Sequence, residues 1–425
     1  MMSATLDSAP QALVPLRRNR DFLLLWTGAG FSSLGLQLTF VVYPLLVIWQ
    51  TGSASAGGGI LAAAVLPHLV VQLPAGALVD RFDRRRLMIT SDVVCIAVTG
   101  GVLVVVILDA VWLPHLMAAA FLHASAAIVY ELAERTAVRH LVDESQVPQA
   151  LGQNEARKRA VGMLGDPIGT FLFSVLRWAP FLVTVVAHVV SLVELLLIRQ
   201  RFQADRAAPP PKSFWIDIVE GVRWLWGQAF LRTAMLLIAA SNLVFAGLVL
   251  TLILIIHRSG ASPAAVGLVL AAGGLGGVVG ALSASWWRRR LSIGVLLPAG
   301  LLVWALSILP LAFVVDPVVI GALFAFIGCI GGICNVIGYL YAVEITPDDV
   351  LGRAMSVMML FGSGASFLGA LLIGYALDGW GIATTVYAMA AVMAVLVVVG
   401  WLHPAVRHVD RALSGDQGKA KGDQA

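Results

Sequence analysis

A chain of 425 residues that is 59% hydrophobic and only 12% charged carries more apolar surface than a water-soluble core can hide, since soluble chains are roughly half apolar and a quarter charged. The composition excludes an ordinary soluble enzyme and points to lipid as the solvent for most of the chain, and its 42 Gly and 12 Trp suit membrane helices and their interfaces. The net charge of +4 does not indicate nucleic acid, because the basic residues sit at segment ends.

Residues 1–20 read as a polar tail holding Arg17, Arg18 and Arg20, and the apolar run behind it is too long for a cleavable signal peptide. A helix needs about 20 apolar residues to cross the hydrocarbon. Twelve such runs follow, at 21–49, 55–79, 87–108, 112–138, 149–176, 179–200, 229–256, 262–286, 292–314, 317–342, 352–376 and 380–402. They are apolar nearly all round, as buried or lipid-facing helices are, and continuous where barrel strands would alternate. The expected fold class is therefore an all-α membrane protein with twelve transmembrane helices.

Between the sixth and seventh runs, QADRAAPPPKS (203–213) reads as a Pro-stiffened linker. SFWIDIVEGVRWLW (213–226) then spaces Asp217, Glu220 and Arg223 three apart among apolar residues, as a short interfacial helix would; a plain loop is the other reading. The expected layout is a six-helix bundle over 21–202, a linker over 203–228, a second bundle over 229–403, and a polar, disordered tail over 404–425. The three cysteines, Cys95, Cys329 and Cys334, show no pairing or zinc spacing and read as buried structural thiols; no metal is expected.

The basic residues supply a sidedness. Of 28 Lys and Arg, only Arg177 and Arg258 fall in the loops near 50–54, 109–111, 177–178, 257–261, 315–316 and 377–379. All others lie toward the opposite side or in the tails, so both termini are expected in the cytoplasm of a plasma-membrane protein.

The chain also repeats itself. GALVDRFDRRRL (76–87) and GALSASWWRRRL (280–291) agree at seven of twelve positions, and TGSASAGGGILAAA (51–64) resembles SGASPAAVGLVLAA (259–272). The first pair falls between the second and third runs of each six-run half. Two parallel halves of six spans, with a binding site between them near the midplane, form a transporter architecture.

The Gly-x-Leu-x-Asp-Arg-x-x-Arg-Arg pattern of 76–85 resembles the signature loop of the major facilitator superfamily. LRRNRDFLLLW (16–26) and QNEAR (153–157) resemble its drug- and siderophore-exporter branch, which includes macrolide and enterobactin exporters. The resemblance implies two pseudo-symmetric six-helix bundles rocking about a central cavity. It also implies a latch in which Asp80, with Arg84, faces the positive end of a neighbouring helix. Gly76 would let two helices approach. The chain departs from the pattern with Asp83 where the family usually has Gly. The second copy lacks both acids, having Ser283, Ala284 and Ser285 instead.

Ionisable groups inside a membrane are costly and so mark function. His123, Tyr130 and Glu134 fall on one helical line, with Glu131 on its flank; they read as a cavity wall that carries protons, with Glu131 as the first candidate for the proton or cation site, or as a structural network in which Glu134 pairs with Arg135 or Arg84. Asp166, in LGDPIGT (164–170), replaces part of the Gly-Pro segment the family resemblance implies; it reads as a coupling carboxylate or as a partner for backbone freed by Pro167. Asp92 is a further proton-coupling candidate, expected to pair with an arginine of the loop. His68, Gln37, Asn242 and Asn335 complete the polar candidates for a substrate cavity.

No Walker Gly-Lys-Ser/Thr loop, H-E-x-x-H or G-x-S-x-G is present, so no enzyme activity and no cofactor are expected. The sequence predicts a monomeric secondary transporter that exports an amphipathic small molecule by proton antiport. Proton-coupled uptake of a metabolite, siderophore export and a non-transporting membrane sensor are the alternatives.

Overall fold

In the computed structural model, residues 15–200, 202 and 214–407 are described; the expected N-terminal tail, Pro-rich linker and C-terminal tail lie largely outside them. Every regular element among the described residues is helical. In chain order, the first half comprises α1 (Arg20–Thr51), α2 (Ala54–Val65), α3 (Pro67–Val70), α4 (Gln72–Arg81), α5 (Arg84–Ile107), α6 (Leu113–Leu141), α7 (Val147–Val175) and α8 (Ala179–Leu197). After α9 (Phe214–Gly227), the second half comprises α10 (Ala229–Arg258), α11 (Pro263–Arg290), α12 (Ile293–Ile308), α13 (Pro317–Ile345), α14 (Asp348–Leu402) and the short α15 (Pro404–Arg407).

Nine of the described helices are long and apolar enough to cross a membrane, or ten if the bent α2–α4 segment counts as one span, bent by 56°. The bend falls between Val70 and Pro74, where Pro74 offers no N–H to the preceding turn and clashes with it. Helix α7 is 29 residues long but carries Glu155, Arg157, Lys158, Arg159 and Asp166, which lower its hydropathy. Helix α14 runs for 55 residues, far more than one crossing needs, and is interrupted at Gly381, whose φ of 79° and ψ of 173° are not helical.

The same pairings recur in the two halves. Helix α2 packs on α6 as α11 packs on α13, and α5 packs on α8 as α12 packs on α14. The α11–α13 pair is the tightest. A methyl on Gly280 would run into the Cys329 carbonyl, and one on Gly328 into that of Gly273, so small residues set the interhelix distance where apolar burial gives no drive in lipid.

The largest buried cluster joins the halves, and it does so at one end only. It combines Val41–Ile48 of α1 and Ile60 of α2 with Leu248 and Leu250 to Ile256 of α10 and Ala370, Ile373 and Leu377 of α14. At the other end, which bears Arg84–Arg86 and Arg288–Arg290, the buried clusters stay within one half. One gathers Phe22, Leu25, Met88, Ala137 and Leu195; another gathers Leu225, Leu231, Met235, Ala342 and Val357. The halves are thus closed against each other at the end opposite the arginine clusters.

The segment predicted as an interfacial helix is helical from Phe214 to Gly227. Leu225 is fully buried against α10 and α14, Val219 stays exposed, and Glu220 pairs with Arg353 at the start of α14. This helix ties the linker to the second half.

Candidate substrate path and coupling site

The signature loop departs from its predicted contacts in an informative way. Asp83, the residue out of pattern, is the N-cap of α5, its Oδ1 accepting the Arg86 N–H at 2.8 Å. An acid suits that place because it satisfies an orphan amide and meets the positive helix end. Arg85 donates to the Leu196 carbonyl at 3.0 Å and so serves the last turn of α8, while Arg84 donates to the Phe202 carbonyl beyond that helix at 3.1 Å. Asp80 is exposed and has no polar partner among the described residues, and a methyl on Gly76 would meet nothing within 4 Å. The close approach expected at Gly76 and the pairing expected of Asp80 are absent from this conformation, because the halves are apart at this end. In the second copy the arginines serve differently: Arg288 pairs with Glu344 at 2.6 Å, and Arg290 stacks 3.9 Å over the Trp286 ring.

The predicted line on α6 faces inward, into the first half. His123, Tyr130 and Glu134 are 1%, 4% and 2% exposed. Glu134 pairs with Arg157 of α7 at 2.7 Å, not with Arg135 or Arg84, and also accepts from Asn154 at 3.0 Å. Arg157 donates in turn to the Trp26 carbonyl at 2.7 Å. A residue 23 positions away is invisible to periodicity within α6. Tyr130 reaches Ser191 of α8 at 3.0 Å. Asp92 binds no arginine: it meets His188 Nδ1 at 2.9 Å and accepts from Ser191 Oγ at 2.7 Å. His188 and Ser191 are functional-site candidates that the sequence reading missed; their spacing of three on α8 put both on one face, which was the available signal.

Glu131, on the flank of that line, is 48% exposed and bridged to Lys158 at 2.5 Å, with Arg135 at 3.9 Å. His68 shares a hydrogen bond with Gln72 at 3.2 Å, and Gln72 reaches Met359 of α14. Asn242 is half-buried beside Gly362, and Asn335 is exposed.

Asp166 and Gln37 form a distinct pair. Gln37 of α1 donates to Asp166 Oδ1 at 2.9 Å. Gly165 gives Gln37 its room, because a methyl there would lie 2.7 Å from Gln37 Cβ. Contacts with the other half flank Asp166: Met163 lies 3.4 Å from where a methyl on Gly274 of α11 would sit, and Pro167 lies one residue beyond the acid. A methyl on Gly267 of α11 would lie 3.0 Å from Pro167 Cα and would overlap the Thr170 hydroxyl. Thr170 in turn donates its hydroxyl to the Asp166 carbonyl at 2.9 Å, one turn back along α7, whereas the carbonyl that Pro167 leaves without a helical donor is that of Met163. Asp166 therefore stands one residue from the seam between the halves.

At the far end of the seam a second acid is placed by α14. Asp378 accepts from Ser53 Oγ, Ala54 N and Ser55 N at 2.8, 2.8 and 2.9 Å, so a carboxylate of the second half caps α2 of the first. Helices of the two halves almost touch just inside it: a methyl on Gly374 would lie 2.9 Å from the Ala54 carbonyl oxygen.

Two helical halves, closed against each other at one end, make up the fold of a membrane transporter. Residues 10–417 match the family described as transmembrane secretion effector, and the chain belongs to this family of major facilitator transporters, which are not enzymes. It is 28% identical to the multidrug efflux pump Tap of Mycolicibacterium fortuitum, over 92% of this chain and 96% of that one. It is 26% identical to macrolide efflux protein A of Streptococcus pyogenes, over 47% of this chain and 50% of that one. In fold it is similar to an inward-facing, unoccupied bacterial homologue of the human lysosomal transporter Spinster, with a TM-score of 0.70 at 13% identity over 92% and 97% of the two chains. It is similar also to a D-xylose–proton symporter, with a TM-score of 0.66 at 13% identity over 91% and 98%.

Proposed function

We propose that this protein is a proton-driven exporter of amphipathic small molecules, working as a monomer by alternating access. It crosses the bilayer twelve times: the ten spans defined by hydropathy are joined by α7 and by the second arm of α14 beyond Gly381. The end carrying the arginine clusters faces the cytoplasm, as the distribution of basic residues requires, and both termini lie there. The conformation described is then inward-facing. The match over nearly the whole length of a multidrug efflux pump supports drugs as the cargo class.

The observation that carries the coupling mechanism is the position of Asp166 next to Pro167 and the α7–α11 crossing. A charged carboxylate there stays wet or hydrogen-bonded, whereas a protonated one can be buried as the seam moves. Proton and substrate thus favour different facing states, and the exchange follows from that difference in affinity. The other proton-coupling candidates read from the sequence are already committed: Glu134 to Arg157, Glu131 to Lys158 and Asp92 to His188. Those pairings also occupy Arg157 and Lys158 on α7, which suits neutral or cationic lipophilic cargo more than anions.

Inside-out vesicles containing the protein should acidify-dependently accumulate members of a lipophilic drug panel, and should lose that accumulation when a protonophore collapses the gradient. Accumulation indifferent to the gradient would reject proton antiport. Uptake by right-side-out vesicles in place of export would reverse the assigned direction.

A further inference from the structure

A second cluster lies wholly inside the first half, away from the seam. Asp92 and Cys95, one turn apart on α5, meet His123 of α6 and His188 of α8, all at 0–1% exposure. Cys95 Sγ and ring nitrogens of both histidines lie within 4.8 Å of one another. The Nε2 atoms of His123 and His188 are 3.1 Å apart. Each ring is held from behind: His188 Nδ1 by the Asp92 carboxylate at 2.9 Å, and His123 Nδ1 beside the Thr39 hydroxyl at 3.4 Å. A carboxylate on the far nitrogen of an imidazole is the usual outer partner of a metal-binding histidine, because it fixes the tautomer and aims the other nitrogen. Gly35 lets the His188 ring pack close against α1, for a methyl there would lie 2.9 Å from His188 Nε2.

We propose that Cys95, His123 and His188 bind a divalent cation of the zinc class, with Asp92 positioning His188. Tetrahedral zinc, with Zn–N of about 2.0–2.1 Å, sets two ligand nitrogens roughly 3.3 Å apart, close to the spacing of the two Nε2 atoms. Cys95 closes the site by swinging its sulfur inward. Two imidazoles and a thiolate suit zinc over magnesium or calcium, which prefer oxygen. Charge balances as well. On binding, the Cys95 thiol proton leaves to solvent as the sulfur–metal bond forms, so thiolate, Asp92 carboxylate and a doubly charged ion sum to zero in a site that Arg157 does not reach. The ion pins α5, α6 and α8 together. Thr39 and Gln37, two residues apart on α1, point about 200° apart, so this site and the Asp166–Gln37 pair lie on opposite faces of α1 and act independently.

The test uses the full chain, purified in detergent, freed of its affinity tag, washed with chelator and loaded with cobalt or zinc. Wild type should show tetrahedral cobalt bands with a sulfur-to-cobalt charge-transfer band, bind about one zinc per chain, and melt several degrees higher with zinc than without. Cys95→Ser should lose the charge-transfer band, and His123→Gln should lower metal content several-fold. Cys334→Ser should change nothing. Wild type that retains no metal above the chelator-washed background overturns the proposal, with no variant needed. So does a cobalt spectrum unaltered by Cys95→Ser.

Discussion

The carboxylate of Asp378, on α14, lies 2.8 Å from the amide nitrogen of Ala54, the first residue of α2 in the opposite half. A helix start carries unsatisfied amides and a partial positive charge, so this acid is a clamp between halves, placed where they are closed. Removing a helix cap costs about 0.5–2 kcal/mol, and here the cost falls on one facing state only. Asp378→Ala should shift the resting population toward the state open at that end by roughly two- to thirtyfold, since about 1.4 kcal/mol is a factor of ten. Spin-label distances between α2 and α14 measure it; an unchanged distance distribution would show that Asp378 is no clamp.

Gly58 and Gly374 let α2 and α14 meet backbone to backbone, a methyl on Gly374 lying 3.2 Å from Ser55 Cα. Gly58→Val should prevent closure there while leaving each half folded. Transport should fall to background with normal expression and melting temperature. Transport near the wild-type level would mean that the seam is looser than described.

Asp166→Asn should keep drug binding, measured by fluorescence polarisation, yet abolish accumulation against a gradient, because the side chain no longer gains or loses a proton. Gln37→Ala should shift the pH dependence of transport without abolishing it, since it removes the one hydrogen bond that the Asp166 side chain receives among the described residues. Gradient-driven export by Asp166→Asn would transfer the coupling role elsewhere, with Glu131 the next candidate.

Breaking the Arg157–Glu134 pair should be far more damaging to folding than to the transport cycle itself. Both side chains are buried, and removing one partner of a buried pair costs about 3–5 kcal/mol because the other is left as an uncompensated charge. Arg157→Leu should therefore melt many degrees lower, and adding Glu134→Met should recover part of the loss. A thermal shift assay in detergent decides; equal melting of single and double variants would show the pair to be uncoupled.

Asp80 is exposed and unpaired in this conformation, so Asp80→Asn should change stability by no more than about 0.5 kcal/mol. If Asp80 latches the opposite facing state, as the signature loop implies, the same variant should slow turnover. Turnover equal to wild type would remove Asp80 from the cycle.

Much of this architecture was legible in the residues themselves. Hydropathy is a local property, and a segment such as 112–138 must be helical wherever it lies, because lipid offers its backbone no other partner. The arginines at 84–86 and 288–290, the helix at Phe214–Gly227 and the membrane carboxylate Asp166 were all visible in the same way. What local reading could not supply is which helix faces which. Asp92 was expected beside an arginine of the adjoining loop and instead meets His188, 96 residues away; Glu134 meets Arg157; Asp378 meets Ala54 across 324 residues. The chain by itself determined that these segments enter the membrane and which end of each carries charge. Only the tertiary packing decided the rotation of each helix about its axis, because helices apolar nearly all round carry no strong face of their own. Glycine contacts and a few polar pairs turn them into register.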